Sequence, residues 1–122
     1  IDLNIFNILA IYEVHNTGAA FNILSNSLDF LIIASFVALT ALTLIIIVNS
    51  SGMSIFSVFA AGLLSGGITS NLLERINYGY VIDYFYLKLI PEMPVFNSAD
   101  VMIVVGTAIL IFSILKKKER RL

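Results

Sequence analysis

The chain has 122 residues, of which 59% are hydrophobic and 12% charged, and its mean hydropathy is +0.99. So much apolar surface cannot be buried in one globular core of this length, and the composition therefore predicts a membrane protein. Cysteine is absent, only one histidine is present and the net charge is −1, which excludes disulfides and thiolate chemistry, argues against a metal or cofactor, and gives no sign of a nucleic-acid partner.

Residues 1–27 are predicted to form strand and loop at the outer face of the membrane, because polar residues interrupt the apolar ones. They have neither the basic start nor the uninterrupted apolar stretch of a signal peptide. Residues 28–48 are the clearest transmembrane helix, since at about 1.5 Å per residue they are long enough to cross roughly 30 Å of hydrocarbon. The only charge in this segment is Asp29, at its edge.

Two further transmembrane helices are predicted at residues 53–73 and 98–115, separated by an outer-face loop at residues 74–97. The first of them is rich in small residues that allow close helix packing, namely Ala60, Ala61, Gly62, Ser65, Gly66, Gly67 and Ser70. Pro94 disfavours an earlier start of the last helix, and Asn97 or Ser98 is suited to cap its first turn.

Orientation is predicted from the densest basic cluster, residues 116–122, which directly follows the last span. By the positive-inside rule this segment is a cytoplasmic tail, and three crossings then place residues 1–27 and the loop 74–97 on the outer face. An outer N-terminus without a signal peptide needs a preceding span. We therefore expect an N-terminally truncated fragment that lacks at least one helix, and the sequence leaves open whether it folds or is active alone.

Two aspartates, Asp83 within the outer loop and Asp100 just after it, belong to a chain that carries no charge from Phe30 to Leu73. A carboxylate at membrane depth costs at least about 2.5 kcal/mol, and where one persists it commonly takes part in chemistry or transport. The alternative interpretation is a pair of ordinary solvated acids in an interfacial loop. The neighbouring residues favour the first interpretation.

Three segments, in order, resemble the lipoprotein signal peptidase (signal peptidase II) family. They are residues 14–21 (VHNTGAAF), residues 66–84 with the strings NLLER and YGYVIDY, and residues 96–100 (FNSAD). The ordered set covers nearly the whole chain and is far more specific than any one string. The family consists of four-helix bacterial membrane aspartyl proteases that cut a prolipoprotein signal peptide just before its lipid-modified cysteine.

The resemblance implies a mostly α membrane protein, with three of four expected transmembrane helices and a small outer-face β/loop region. It also implies a multi-pass location in the bacterial inner (cytoplasmic) membrane, with the active site on the outer face and the C-terminus in the cytoplasm. The expected partners are lipid-modified prolipoprotein signal peptides and membrane lipids, and the enzyme is expected to be monomeric.

Asp83 and Asp100 are the predicted catalytic pair. Hydrolysis of an amide needs a base to activate water and an acid to protonate the departing nitrogen, and two carboxyl groups that share a proton supply both. The positive end of a helix dipole favours a carboxylate at Asp100, so this residue is the expected base. Asp83 is expected to hold the proton, because Tyr80, Tyr84 and Phe85 surround it in sequence and partly desolvate it.

Six further residues match family positions that support the site or bind substrate: Asn16, Gly18, Ala19, Asn71, Arg75 and Asn97. An asparagine can donate and accept hydrogen bonds beside a carboxylate, although a turn or cap role is the alternative. Gly18 and Ala19 either let the backbone lie against substrate or form a tight turn. Arg75 either orients the outer loop and neutralises an acid, or reaches the membrane surface as an interfacial arginine.

The sequence also departs from the family at Glu74, where the family usually has aspartate, and this puts the local salt-bridge geometry in doubt. Two functions of other classes stay open: a small subunit that translocates ions or protons, and a non-catalytic assembly protein. A proton carrier should place a carboxylate near the middle of a span, and neither long span has one. Assembly alone would leave the two outer aspartates and the asparagines unexplained.

Overall fold

The computed structural model describes residues 3–18 and 26–120. Its elements, in chain order, are β1 (Leu3–Ile5), β2 (Leu9–Asn16), α1 (Leu28–Asn49), α2 (Ile55–Tyr78), β3 (Val81–Leu87) and α3 (Ser98–Arg120). All three helices are long and apolar enough to cross a membrane. The predicted fold class, a mostly helical membrane protein with a small β region, is confirmed.

Helix α2 is the central helix, because it packs against both α1 and α3 and most extensively against α3. Its buried face includes Ala60, Ala61 and Gly67. A Cβ atom placed on Gly67 would lie 2.7 Å from the backbone oxygen of Ala99 in α3, so the two helix backbones can approach this closely only where the side chain is absent. Within a membrane no hydrophobic force drives two helices together, and small residues at the interface allow the close backbone packing that does.

The boundaries of two helices differ from the predicted ones. Helix α2 extends to Tyr78 instead of ending at residue 73, because Asn71 and Arg75 lie one turn apart on its buried face and continue the helix where the apolar pattern stops. Helix α3 extends to Arg120 instead of ending at residue 115. Lysine and arginine are good helix formers and complement the helix dipole at a C-terminus, so the basic segment is largely helical.

Gly79 ends α2 and turns the chain into β3. Its φ of 81° is left-handed, and its N–H donates to the carbonyl of Arg75 at 2.9 Å. Glycine adopts this conformation without the steric penalty that a side chain would impose. The segment predicted as an outer loop at residues 74–97 therefore contains the end of a helix and a strand.

The three strands form one antiparallel sheet in the order β1-β2-β3. In its register Val14 pairs with Asp83 and Asn16 pairs with Val81. Beyond β3, the chain returns through a loop that is closed by a bridge between Phe85 and Phe96, whose backbone N–H groups donate to each other's carbonyls at 2.7 and 2.9 Å. This bridge sets the start of α3 beside β3.

We predict that Gly67→Ala lowers the thermal unfolding midpoint of the protein in detergent. The added methyl group would meet the Ala99 backbone, and overpacking of this kind costs about 1–3 kcal/mol. Gly62→Ala is the matched control, because nothing lies within 4 Å of a Cβ at that position. Alanine favours a helix interior over glycine by about 1 kcal/mol, so the control should be neutral or stabilising. Equal effects of the two substitutions would contradict close packing at Gly67.

Candidate active site

Asp83 lies on β3 with its carboxyl group turned inward, and the residue is only 2% exposed. Asn16, at the end of β2, donates from Nδ2 to Asp83 Oδ2 at 2.8 Å. Asn97 donates from Nδ2 to Asp83 Oδ1 at 2.9 Å. Each oxygen of this buried carboxyl group therefore accepts a hydrogen bond from an amide, as a buried polar group requires.

Asp100 lies in the first turn of α3, where it makes a reciprocal exchange with Asn97. The backbone N–H of Asn97 donates to Asp100 Oδ2 at 3.0 Å, and the backbone N–H of Asp100 donates to Asn97 Oδ1 at 2.8 Å. This is the hydrogen-bond pattern of a capping box, with asparagine and aspartate in place of the usual residues. The start of the helix thus fixes the orientation of the Asp100 carboxylate.

Asn71 completes the surroundings of Asp100 from helix α2. It donates from Nδ2 to Asp100 Oδ1 at 3.2 Å and accepts from Asn97 Nδ2 at 3.1 Å. Because Asn97 also donates to Asp83, it contacts both carboxyl groups directly. Two aspartates and three asparagines, contributed by β2, α2, β3 and the start of α3, therefore form one hydrogen-bonded cluster.

Arg75 lies one turn beyond Asn71 on α2 and is only 8% exposed. Its Nη2 donates to the carbonyl of Gly18 at 3.2 Å, which ties the segment after β2 to the cluster. Among the described residues its Nε has no hydrogen-bond partner, and its guanidinium makes no ion pair. The arginine is therefore buried beside the cluster and does not extend away from it toward the membrane surface.

Glu74 supports the strand that carries Asp83. Its Oε2 accepts from the backbone N–H of Ile82 at 2.6 Å, so its described contact is a hydrogen bond to β3 and not a salt bridge. The Glu74 side chain thus reaches the backbone of the residue that precedes Asp83.

The pKa of Asp83 is raised from 3.8 to about 6, chiefly because burial disfavours the charged carboxylate. The negative charge of Asp100, and to a smaller extent that of Glu74, contributes to this rise in the pKa. The hydrogen bonds from Asn16 and Asn97 oppose it, because they stabilise the carboxylate. Desolvation and a nearby like charge both favour the protonated acid. A carboxyl group with a pKa near neutrality is suited to give and take a proton at physiological pH.

An apolar cleft of about 140 Å³ opens beside Asp100 on one side of α3. It is lined by Met93, Phe96, Asp100, Val101, Val104 and Val105. A larger groove of about 1280 Å³ lies among the opposite ends of the helices, next to Lys116 and Phe112, and is remote from both aspartates. We therefore associate the smaller cleft, and not the larger groove, with the carboxyl pair.

Most of the predicted site residues lie together. Asp83, Asp100, Asn16, Asn71 and Asn97 form the cluster, and the contact between Gly18 and Arg75 adjoins it. The predicted residue Ala19 lies outside the described residues. No group of three or more histidine or acidic side chains within residues 3–18 and 26–120 is arranged to hold a metal ion.

One contact beside the site was not predicted from the sequence. The hydroxyl of Tyr84 is 2.7 Å from Ser98 Oγ and accepts a hydrogen bond from the Ser98 N–H at 3.1 Å. No short sequence motif relates positions 84 and 98, so no signal in the sequence indicated this contact.

The fold and the cluster define a membrane-spanning protein with a buried pair of carboxyl groups at one end of its helices. The sequence profile of the Signal peptidase (SPase) II family matches residues 1–116. The chain is 40% identical over 110 residues to the lipoprotein signal peptidase of Caldicellulosiruptor bescii, covering 90% of this chain and 69% of that protein. It is 38% identical over 109 residues to that of Clostridioides difficile, covering 89% of this chain and 72% of the other.

Solved structures agree with this similarity. A bacterial membrane enzyme determined at 2.3 Å resolution superposes with a TM-score of 0.88 at 27% identity, covering 100% of this chain and 75% of the other. A second, at 1.9 Å resolution, gives a TM-score of 0.81 at 29% identity, covering 95% and 76%. The chain belongs to the signal peptidase II family, as its sequence motifs predicted.

The environment of Asp83 predicts how stability depends on pH. Because its folded-state pKa of about 6 exceeds the ordinary 3.8, the folded protein holds this proton more tightly than the unfolded chain and loses stability as the pH rises between those values. Asp83→Asn removes this loss. In thermal unfolding experiments the midpoint temperature of the variant minus that of the parent should therefore increase as the pH is raised from about 4 to about 7. A constant difference across that range would contradict the raised pKa.

Proposed function

We propose that this protein is an aspartyl endopeptidase that removes signal peptides from prolipoproteins, cutting just before the diacylglyceryl-modified cysteine. Family membership supports the substrate class, since the relatives are lipoprotein signal peptidases. The observation that carries the aspartyl mechanism is the contact of Asn97 with both buried carboxyl groups. Two carboxyl groups in one hydrogen-bonded cluster are suited to act as a coupled acid and base.

In the proposed reaction Asp100 is the base and Asp83 the acid. Asp100 takes a proton from a water molecule, whose oxygen attacks the carbonyl carbon of the scissile peptide bond. Asp83, whose raised pKa favours the protonated form, gives its proton to the reacting amide. Collapse of the tetrahedral intermediate breaks the C–N bond and releases a carboxyl terminus and the amino group of the lipid-modified cysteine.

The surrounding amides and the arginine are proposed to hold the substrate peptide. Asn16, Asn71 and Asn97 already bind the carboxyl groups, so they keep both acids oriented while the peptide enters. The buried Nε of Arg75 has no partner among the described residues and is available to donate to a backbone carbonyl of the substrate. Such a contact would satisfy a buried donor that otherwise costs free energy.

The apolar cleft beside Asp100 is the proposed path for an acyl chain of the substrate. Its lining is valine, methionine and phenylalanine apart from Asp100 itself, and Val104 is 58% exposed. Such a surface suits a hydrocarbon chain that arrives from the bilayer. The basic segment at the far end of α3 favours a cytoplasmic C-terminus and hence a catalytic pair at the outer face of a bacterial membrane.

We predict that Asp83→Asn and Asp100→Asn each abolish cleavage of a diacylglyceryl-modified substrate by the protein expressed from its native gene. An amide keeps the shape of the carboxyl group but cannot exchange a proton with water. The double variant should be little worse than either single one, because groups that act as a unit are not additive. Cleavage is followed by the gel shift of the released lipoprotein.

Glu74→Gln is the control for these two variants. Glu74 is a nearby acid, but a glutamine oxygen can still accept from the Ile82 N–H, so turnover should be weakened and not lost. Near-normal cleavage by folded Asp83→Asn or Asp100→Asn protein would show the aspartyl mechanism to be wrong, even with the family assignment intact.

The acyl path makes a separate prediction. Val104→Trp fills the cleft with an indole ring and should lower kcat/KM for the diacylated substrate by about tenfold, as expected for the loss of roughly 1.4 kcal/mol of binding. Ile114→Trp introduces the same side chain at an exposed position of α3 outside the cleft and should be neutral. Equal kcat/KM values for the two variants, measured by initial rates, would show that the cleft does not bind the acyl chain.

A further inference from the structure

Tyr84 and Ser98 form a side-chain contact between the two segments that carry the aspartates. Tyr84 follows Asp83 directly on β3, and Ser98 is the first residue of α3, two positions before Asp100. The hydroxyl of Tyr84 accepts from the Ser98 N–H at 3.1 Å and lies 2.7 Å from Ser98 Oγ. Since that phenol oxygen accepts the N–H, its own proton is free to point toward the serine oxygen.

This contact also satisfies a backbone group that a helix leaves without an internal partner. The first four N–H groups of an α-helix lack acceptors within the helix. Asn97 Oδ1 accepts the N–H of Asp100, and the Tyr84 hydroxyl accepts that of Ser98. The tyrosine is thus a second cap for α3, supplied by the neighbouring strand instead of by the chain before the helix.

The contact between Tyr84 and Ser98 lies on the opposite side of the junction between β3 and the start of α3 from the carboxyl pair. Side chains alternate along a strand, and while Asp83 is buried, Tyr84 is only half-buried and its bond to Ser98 is exposed. The backbone bridge between Phe85 and Phe96 lies next to this contact. The side-chain contacts between β3 and the start of α3 are those of Asn97 with Asp83 on the side of the carboxyl groups and of Tyr84 with Ser98 on the other side. The Tyr84 N–H also donates to the Phe96 carbonyl at 3.0 Å.

We infer that Tyr84 and Ser98 are a positioning pair, which holds β3 against the start of α3 so that the Asp83 and Asp100 carboxyl groups stay at their working separation. This inference rests on the proposed function, because it assigns the pair a role in that reaction. Neither side chain contacts the carboxyl groups, so the pair acts through the backbone of the two segments. A small misplacement of catalytic groups is costly to rate, since catalysis depends on held geometry.

The pair is tested by kinetics of Tyr84→Phe in the protein expressed from its native gene. The ring is retained while both hydrogen bonds are lost, so kcat for the diacylglyceryl-modified substrate should fall about threefold to tenfold, with KM within about twofold of the parent. Tyr86→Phe is the matched control, because Tyr86 is on the same strand and face and its hydroxyl has no hydrogen bond among the described residues. It should leave kcat unchanged.

Serine variants separate positioning from general destabilisation. Ser98→Ala removes one of the two hydrogen bonds and should lower kcat less than Tyr84→Phe does. Ser98→Thr keeps the hydroxyl group and should leave kcat at the parental value. In the Tyr84→Phe background, Ser98→Ala should have no further effect, because its partner is already gone. A purely structural role would lower the unfolding midpoint and the yield of folded protein without this pattern in kcat.

Two results would overturn the inference. One is a kcat for folded Tyr84→Phe within twofold of Tyr86→Phe, and the other is a full additional loss from Ser98→Ala in the Tyr84→Phe background. In both cases the unaltered protein still cleaves its substrate, so the proposed function stands. Failure of the unaltered protein to cleave a diacylglyceryl-modified substrate would instead reject the proposed function, and the positioning role with it.

Discussion

The contact of one asparagine with two buried carboxyl groups is the interaction on which the rest of this structure depends. Asn97 exchanges hydrogen bonds with Asp100 at the start of α3 and donates to Asp83 on β3. Carboxylates removed from water destabilise a fold unless donors replace the lost hydration. Here amide groups supply those donors to all four carboxyl oxygens, and the raised pKa of Asp83 records the part of the desolvation that they do not offset.

The surrounding fold can be understood as the scaffold that brings these groups to one place. Close packing at Gly67 holds α2 against α3, and Asn71 and Arg75 follow at one-turn intervals on the same buried face. Gly79 then reverses the chain into β3, which pairs with β2 and so brings Asn16 to Asp83. Four elements, β2, α2, β3 and the start of α3, thus place polar groups at the same point, at the end of helices that are otherwise apolar.

The sequence predicted which residues belong to the candidate site better than it predicted how the fold brings them together. Hydropathy located the three helices, and the ordered motifs identified the aspartates and asparagines. The apolar pattern ended α2 too early, however, because Asn71 and Arg75 are polar residues on a buried helical face, and polarity alone resembles a loop. The contact between Tyr84 and Ser98 was beyond prediction, since it depends on the path of the loop between β3 and α3 and not on any local spacing. The hydrogen bond between Glu74 and Ile82 likewise depends on where the end of α2 meets β3, which no local sequence pattern indicates.

The central claim is that Asp83 and Asp100 interact as one acid–base unit, and a carboxyl titration tests it most directly. The chain contains only four aspartates, so ¹³C-labelled aspartate gives few carboxyl resonances to follow by NMR. We predict that the Asp83 carboxyl carbon titrates with a pKa of about 6 and that Asp100→Asn moves this pKa to lower pH, because a neighbouring negative charge is removed. An Asp83 titration near the ordinary 3.8, unchanged by Asp100→Asn, would contradict the account.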